Sequence, residues 1–288
     1  MNDYLLSALL GVIEGLTEFV PVSSTAHLRI AEALLGVDLQ SGFWKMYSIV
    51  IQLGAILALT AYFWRRILDF LRTFPKGEGG DRDFLTHPLS LVMIAFVVTA
   101  IPAFLLTKLI GKNLENLLVM AWALFIGGIV MRVVDLLFVR PRIERMEEMS
   151  LPSAIWIGAV QTLSAIFPGT SRSMCTIAAG QVAGMSREAA LEFSFFLSIP
   201  TMFAATGYDL LKTLKPHHTT EAIAPLTMTP HLWLVLALGF AIAFCAALAV
   251  VAWFLRWVRR HGFAPFAIYR IVLGAALFIA LSRGLIGR

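Results

Sequence analysis

Charged residues are scarce in this chain. Asp, Glu, Lys and Arg make up 14% of its 288 residues, where soluble domains carry about a quarter. That shortage excludes a surface wetted all round by water. Cysteine is nearly absent too. Cys175 and Cys245 form no metal spacing, and in apolar segments they are expected to be small core residues. Basic stripes with interleaved aromatics are missing, so the surplus of +5 and the pI near 9.5 do not point to nucleic acid. The first residues have neither a basic n-region nor an A-x-A site, so no cleaved signal peptide is expected.

What the chain has instead is apolar length. It is 59% hydrophobic with a mean hydropathy of +0.81. Six runs supply the roughly 20 apolar residues that a membrane span needs: Phe43 to Trp64, Pro88 to Ile110, Leu117 to Val139, Ala189 to Leu211, Leu232 to Leu255 and Phe263 to Leu281. Two further apolar stretches, Leu5 to Val20 and Ala154 to Phe167, are shorter. Each ends in proline and hydroxyl residues, which stop one helix and start another. These read as re-entrant pairs.

The two broken stretches resemble each other. EGLTEFVPVSSTAH (Glu14 to His27) and QTLSAIFPGTSRSM (Gln161 to Met174) align 147 positions apart, with Gly11 on Gly158, Glu14 on Gln161, Pro21 on Pro168 and Ser24 on Ser171. Polar breaks in corresponding places of two hydrophobic halves point to a site buried in a membrane. The expected fold is therefore an all-α polytopic membrane protein in one integral domain. Six transmembrane helices and two re-entrant hairpins form an inverted-topology repeat, 1–139 and 150–288, joined by RPRIERMEEM. With opposite entry sides for the hairpins, eleven Lys and Arg fall on one side's loops (Arg65, Arg66, Arg72, Lys76, Arg82, Arg140, Arg142, Arg145, Arg256, Arg259, Arg260). Six fall on the other (Lys108, Lys112, Lys212, Lys215, Arg283, Arg288). The bias makes the first side cytoplasmic and both termini periplasmic. The Thr73 to His87 loop reads as a flexible linker.

Glu14 and Glu18, four apart on a helix, stack their carboxylates about 6 Å apart. At membrane depth ionisable groups are functional by default. They could coordinate a hard divalent cation or do general-base work; spacing alone leaves both open. Ser23, Ser24, Thr25 and His27 begin the next helix, where hydroxyls cap and free N–H groups attract anions. The second break adds Gly169, Thr170, Ser171, Arg172 and Ser173: a bare backbone position, hydroxyls, and a guanidinium fork suited to phosphate. Converging hairpins would make a pocket for a phosphate or diphosphate on a lipid. Gln52 and Glu192 inside spans either bond between helices or line that pocket. Arg270 could pair with Glu192 or bind phosphate, Arg132 and Asp135 read as an i,i+3 pair, and His217 and His218 as solvated.

The strings EGLTEFVPVSST, IQLGAI, PGTSRS, EFSFFLSIP and PFAIYR resemble the undecaprenyl pyrophosphate phosphatase family, also called bacitracin-resistance proteins, over essentially the whole chain. The resemblance implies hydrolysis of undecaprenyl diphosphate in the bacterial cytoplasmic (inner) membrane, recycling the carrier lipid for peptidoglycan synthesis. It implies functional positions at Glu14, Glu18, Ser24, His27 and Arg172, a divalent cation such as Mg2+ or Ca2+, and a site open to the periplasm. The chain departs from the family pattern at Ala26, where glycine is usual, and at Met174-Cys175, where Gly-Ala is usual. In the expected mechanism Arg172, Ser171 and Ser173 clamp the diphosphate with the two helix termini. One or both glutamates hold the metal, while Ser24, His27 or water is the nucleophile. Apolar grooves between spans would take the polyprenyl tail. A transporter or flippase of a phosphorylated polyprenyl lipid is the alternative, since broken helices in inverted repeats serve transport equally. A phosphatidic-acid-type phosphatase is excluded because Ala178 to Met185 lacks the His and Asp it requires. Sequence leaves a homodimer open.

Overall fold

The computed structural model describes residues 2–37, 42–106, 116–214 and 228–286. Within them the chain is helical: α1 (Asp3–Thr17), α2 (Ser24–Leu35), α3 (Gly42–Tyr62), α4 (Trp64–Thr73), α5 (Pro88–Leu105), α6 (Leu117–Leu137), a 3-10 turn (Met146–Glu148), α7 (Leu151–Ile166), α8 (Arg172–Val182), α9 (Arg187–Leu214), α10 (Pro230–His261) and α11 (Ala264–Ser282). Helices α3, α5, α6, α9, α10 and α11 are long and apolar enough to cross a membrane. They match the six expected runs. Lys108, Lys112, Lys215, His217, His218, Arg288 and the side chain of Lys212 lie outside what is described.

Helix starts follow local capping chemistry. Asn2 caps α1 through Tyr4 N (3.0 Å), Asn116 caps α6 through Leu118 N and Val119 N, and Thr229 caps α10, with Pro230 in its first turn. Each oxygen satisfies an N–H that the helix leaves over. The four short helices α1, α2, α7 and α8 run 15, 12, 16 and 11 residues. At 1.5 Å per residue they span about 17 to 24 Å, less than the roughly 30 Å of hydrocarbon.

Helix α4 was not expected. No residue of it is buried, and it is too short and too charged to register as a span. Its Arg66 holds the carboxylates of Glu147 and Glu192, so Glu192 pairs with Arg66 and not with Arg270. Asp135 likewise takes Arg187 at 2.6 Å, which replaces the expected pair with Arg132. The Thr73 to His87 segment is tethered as well: Arg82 donates to Glu147 O at 2.6 Å. Cys175 is buried as expected, whereas Cys245 faces outward on α10.

These charges gather at one end of the bundle, where Arg259 also meets Glu188 and Arg142 N and Ile143 N donate to Gly184 O. At the other end His231 meets Asp3 at 3.0 Å. Both Arg259 and His231 belong to α10 and lie 28 residues apart on it, about 42 Å. Helix α1 therefore starts at the His231 end, and α7 starts at the end marked by Glu147. Packing is crossed in the same sense: α1 lies along α10 and α7 along α5, while α6 lies along α11.

Close approach explains the glycines at two of these contacts. A Cβ on Gly11 would lie 2.7 Å from Gly239 O, and one on Gly158 would fall on the Ala95 carbonyl. Thr99 Oγ1 then reaches Gly158 O at 2.7 Å and receives Gln161 Nε2 at 3.0 Å. A methyl added at Gly207 of α9 would meet nothing within 4 Å. Gly158→Ala is expected to destabilise the protein by about 1–3 kcal/mol through overpacking. Gly207→Ala should be neutral or stabilising by up to about 1 kcal/mol. Thermal unfolding in detergent checks both, and equal effects would contradict the packing described.

Candidate active site

Both short-helix pairs break at a proline and restart at a strained serine. Ser23 has φ 74° and Ser171 φ 71°, and among the described residues no other non-glycine has a positive φ. That conformation costs of order 1–3 kcal/mol and persists only where surroundings impose it. Each serine caps its helix, Ser23 Oγ accepting from Ala26 N and Ser171 Oγ from Met174 N. The caps lie 148 positions apart, so the 147-position register holds as far as Pro21 and Pro168 and then slips by one. Gly169 (φ +92°) and Thr170 replace the single Val22. The structural partner of Ser24 is therefore Arg172, each being the first residue of its helix.

These two first residues meet through Glu18. Ser24 Oγ donates to Glu18 Oε2, and Arg172 donates to Glu18 Oε1 at 3.4 Å across 154 positions of sequence. The second arm of the guanidinium reaches Ser194 O at 3.5 Å. Ser173 Oγ binds Val20 O at 3.2 Å and lies 3.1 Å from Ser171 Oγ. Glu18 is buried and Arg172 largely so, with 13% of its side chain exposed, and each is placed against its own helix dipole. Glu18 is the C-cap of α1, at its negative end, while Arg172 opens α8 at the positive end. Each therefore needs the other.

Glu14 lies one turn below Glu18, 1% exposed, with Glu18, Glu32 and Arg172 as its charged neighbours. Its Oε1 is buried without a hydrogen-bond partner. An orphaned carboxylate oxygen beside a second carboxylate is a hard-donor set that fits a divalent cation. No group of three or more His, Cys, Asp or Glu suited to a metal occurs among the described residues, so remaining positions would fall to water or substrate oxygen.

His27 turns toward α11. Its Nδ1 lies 2.7 Å from Ser23 O, and a carbonyl can only accept, so Nδ1 carries hydrogen. Its Nε2 meets the Tyr269 hydroxyl at 2.6 Å, with the rings stacked 5.6 Å apart. Neither nitrogen bonds Glu18 or Arg172 in this state. Tyr269 lies in PFAIYR but carried no sequence signal of its own, since 242 positions separate it from His27.

The next residue, Arg270, is fully buried. It donates to Pro21 O (3.2 Å) in the first turn, to Gly169 O (3.2 Å) and Thr170 O (2.9 Å) in the second, and to Ala123 O (3.0 Å) of α6. Both of its terminal nitrogens are thus taken by main chain, while Nε is buried without a partner, and the residue ties the two breaks together. Gly127 of α6 leaves the room, because a Cβ there would fall on the guanidinium. Of the other expected residues, Gln52 accepts from Thr206 Oγ1 at 3.3 Å as a helix–helix bond. Thr25 is exposed, and Thr170 Oγ1 bonds back to Phe167 O at 2.7 Å. The close approach that Gly169 permits is to the backbone of Met120, 2.9 Å from a Cβ position.

Arg270→Met should leave the carbonyls of Pro21, Gly169 and Thr170 short of a donor. At about 1–3 kcal/mol for each unsatisfied group, a loss of at least 3 kcal/mol is expected by thermal unfolding, with activity lost. Arg270→Lys, which keeps charge without the fork, should recover only part of either. A stable, active methionine variant would mean that the tie is dispensable.

Known proteins resemble this chain over nearly its whole length. The family described as "Bacitracin resistance protein BacA" matches residues 7–276. An "Undecaprenyl-diphosphatase" of Koribacter versatilis (strain Ellin345) is 64% identical, covering 98% of this chain and 100% of its own length. Proteins of the same description from Thermus thermophilus, 43% identical over 93% of both chains, and Rhizobium etli (strain CIAT 652), 41% identical over 99% of both, match as well. With a full-length relative this similar and the family pattern running through both broken helix pairs, the chain belongs to the bacitracin resistance protein BacA family.

Proposed function

We propose that this multi-pass membrane protein is an undecaprenyl-diphosphatase: it hydrolyses undecaprenyl diphosphate to undecaprenyl phosphate and inorganic phosphate. The observation that carries the reading is the Arg172–Glu18–Ser24 constellation, closed between two helix N-termini. A diphosphate arriving there competes with Glu18 for Arg172. It carries the charge that the starts of α2 and α8 favour, which Arg172 alone opposes. Arg172 then holds phosphate oxygens with its fork, helped by Ser171 and Ser173.

Glu18, freed from Arg172, keeps Ser24 Oγ as its hydrogen-bond donor. A hydroxyl bonded to a carboxylate is an activated nucleophile with its base. In this reading Ser24 Oγ attacks the terminal phosphorus and its proton passes to Glu18. The bond from that phosphorus to the bridging oxygen breaks, and undecaprenyl phosphate leaves with the electron pair. Water then attacks the phosphoserine and gives a proton to His27, while the bond from phosphorus to Ser24 Oγ breaks and Glu18 returns its proton to that oxygen, releasing inorganic phosphate. A divalent cation, Mg2+ or Ca2+, bound by Glu14 and Glu18 would neutralise diphosphate oxygens. The apolar groove lined by Leu16, Val20, Ala246, Val250, Trp253 and Phe266 lies beside this turn and suits the isoprenoid tail.

The pairs α1–α2 and α7–α8 are read as re-entrant hairpins of an inverted repeat. Their insufficient length, their opposite starting ends and the crossed packing on α10 and α5 support this. In this reading, by the positive-inside rule, the Arg66–Glu147 end is cytoplasmic and the termini lie outside, while a site open to the periplasm is what the family resemblance implies. All the residues named belong to one chain, so the reading does not require a homodimer. Cysteines placed at 79 and at 144 should resist impermeant thiol reagents in intact cells, and labelling from outside would reverse the orientation.

Purified protein should release phosphate from a polyprenyl diphosphate. A chelator should stop the reaction and added Mg2+ or Ca2+ restore it. Arg172→Lys should lose about a hundredfold or more in turnover because the fork disappears. No release under any metal would favour a carrier of phosphorylated lipid, the reading to which the crossed repeat packing also lends itself.

A further inference from the structure

We infer that Tyr269 is a positioning residue for His27, which it holds in one tautomer and one orientation through a hydrogen bond and a stacked ring. The inference rests on the proposed proton-transfer role of His27 and names a further residue serving it.

His27 has two ring nitrogens and both are engaged. Ser23 O accepts from Nδ1 at 2.7 Å, which in the neutral ring leaves Nε2 as the lone-pair nitrogen. At 2.6 Å from it the Tyr269 hydroxyl has one available role, that of donor. The two bonds pin opposite edges of the imidazole, and the rings lie 12° from parallel, so rotation about the Cβ–Cγ bond would break both bonds and the stack together. Ser23 itself is the strained cap of α2. The histidine is thus fixed to the first turn on one edge and to α11 on the other.

The position of Tyr269 suits this task more than a packing one. It is one residue before Arg270, whose guanidinium ties Pro21 to Gly169 and Thr170, so the segment that fixes the two breaks also fixes the histidine. The residue is 44% exposed, hence little apolar burial is gained by a tyrosine here. The part that is specific is the hydroxyl. In turnover the bond to Nε2 is the one that yields when His27 takes a proton, and the carbonyl on Nδ1 then stabilises the imidazolium.

Tyr269→Phe keeps the ring and its stacking and removes the hydroxyl, so folding is preserved. One hydrogen bond of ordinary strength predicts a fall in kcat of about three- to tenfold, with KM within about twofold because the hydroxyl is assigned no contact with substrate. Tyr269→Ala, which also loses the stack, should fall further. Because Tyr269 acts through His27, Tyr269→Phe should add nothing on a His27→Gln background, measured with enzyme at raised concentration. A second readout needs no turnover. Diethyl pyrocarbonate acylates an imidazole at a free lone pair, so His27 followed by peptide mass spectrometry should be protected in the parent protein and modified several-fold faster in Tyr269→Phe.

Unchanged or raised kcat in Tyr269→Phe, an equal loss on the His27→Gln background, or unaltered acylation would each overturn the inference. If His27→Gln alone retains full turnover, the proton-transfer role of His27 fails. The acylation rates would then still decide whether Tyr269 holds the ring.

Discussion

Breaking a helix in a protein interior leaves main-chain groups in need of new partners, and this chain breaks two side by side. The whole arrangement depends on how those hydrogen bonds are replaced. Arg270 supplies a shared part of the replacement, with carbonyls from both turns and one from α6 converging on one guanidinium. A fork of five donors is the side chain able to serve acceptors on three segments at once. Its burial is tolerable because the carbonyls of the irregular turns point partial negative charge at it. Gly127 has no side chain for the same reason, since its Cβ position is where the guanidinium lies.

With the turns fixed, the reactive groups are fixed too. Ser24 and Arg172 occupy the same position of two helices that start from strained serine caps, and one of them is a nucleophile type and the other an anion binder. Between them stands Glu18, held at the negative end of α1 and bonded to both. The pair is neutralised as it stands, and under the proposed function the Glu18 carboxylate occupies the ground that a phosphate group would take. Exchange of one anion for another at Arg172 requires little reorganisation of charge, which is the condition for electrostatic stabilisation to act in the transition state.

Legibility from sequence followed the range of the interactions. Spans of some 20 apolar residues are local facts, and all six fell where composition placed them. Helix α4 was missed because ten residues with Arg65, Arg66, Asp69 and Arg72 give no span signal, and what holds them is an ion-pair network reaching Glu147 and Glu192. The i,i+3 spacing of Arg132 and Asp135 suggested a local pair. Arg187, 52 positions away, had the better geometry for Asp135. The constant 147-position register misaligned the functional hydroxyls by one, since an inserted Gly169-Thr170 turn can be counted only once the caps are located. Tyr269 and Arg270 were legible as part of a resembling string and mute about their partners, which lie from 100 to 249 positions away.

The two departures from the family pattern fall on the faces of α2 and α8 that turn away from the hydroxyls. Ala26 is fully buried with Met120, Ala121 and Leu124 of α6 and Leu277 of α11. Its methyl therefore occupies a helix-packing position where glycine would leave a gap, and the Ser23 cap that precedes it is still made. Met174 and Cys175 belong to the main core, and the methyl end of Met174 lies against Gly127 beside Arg270. A flexible thioether fills an irregular space of this kind without forcing its neighbours. Because α8 begins with Arg172 and Ser173 already engaged to Glu18 and Val20, bulk added one position later is absorbed behind the site. The constraint on these positions is volume against α6, while the constraint on Ser24, Arg172 and Ser173 is hydrogen bonding across the break.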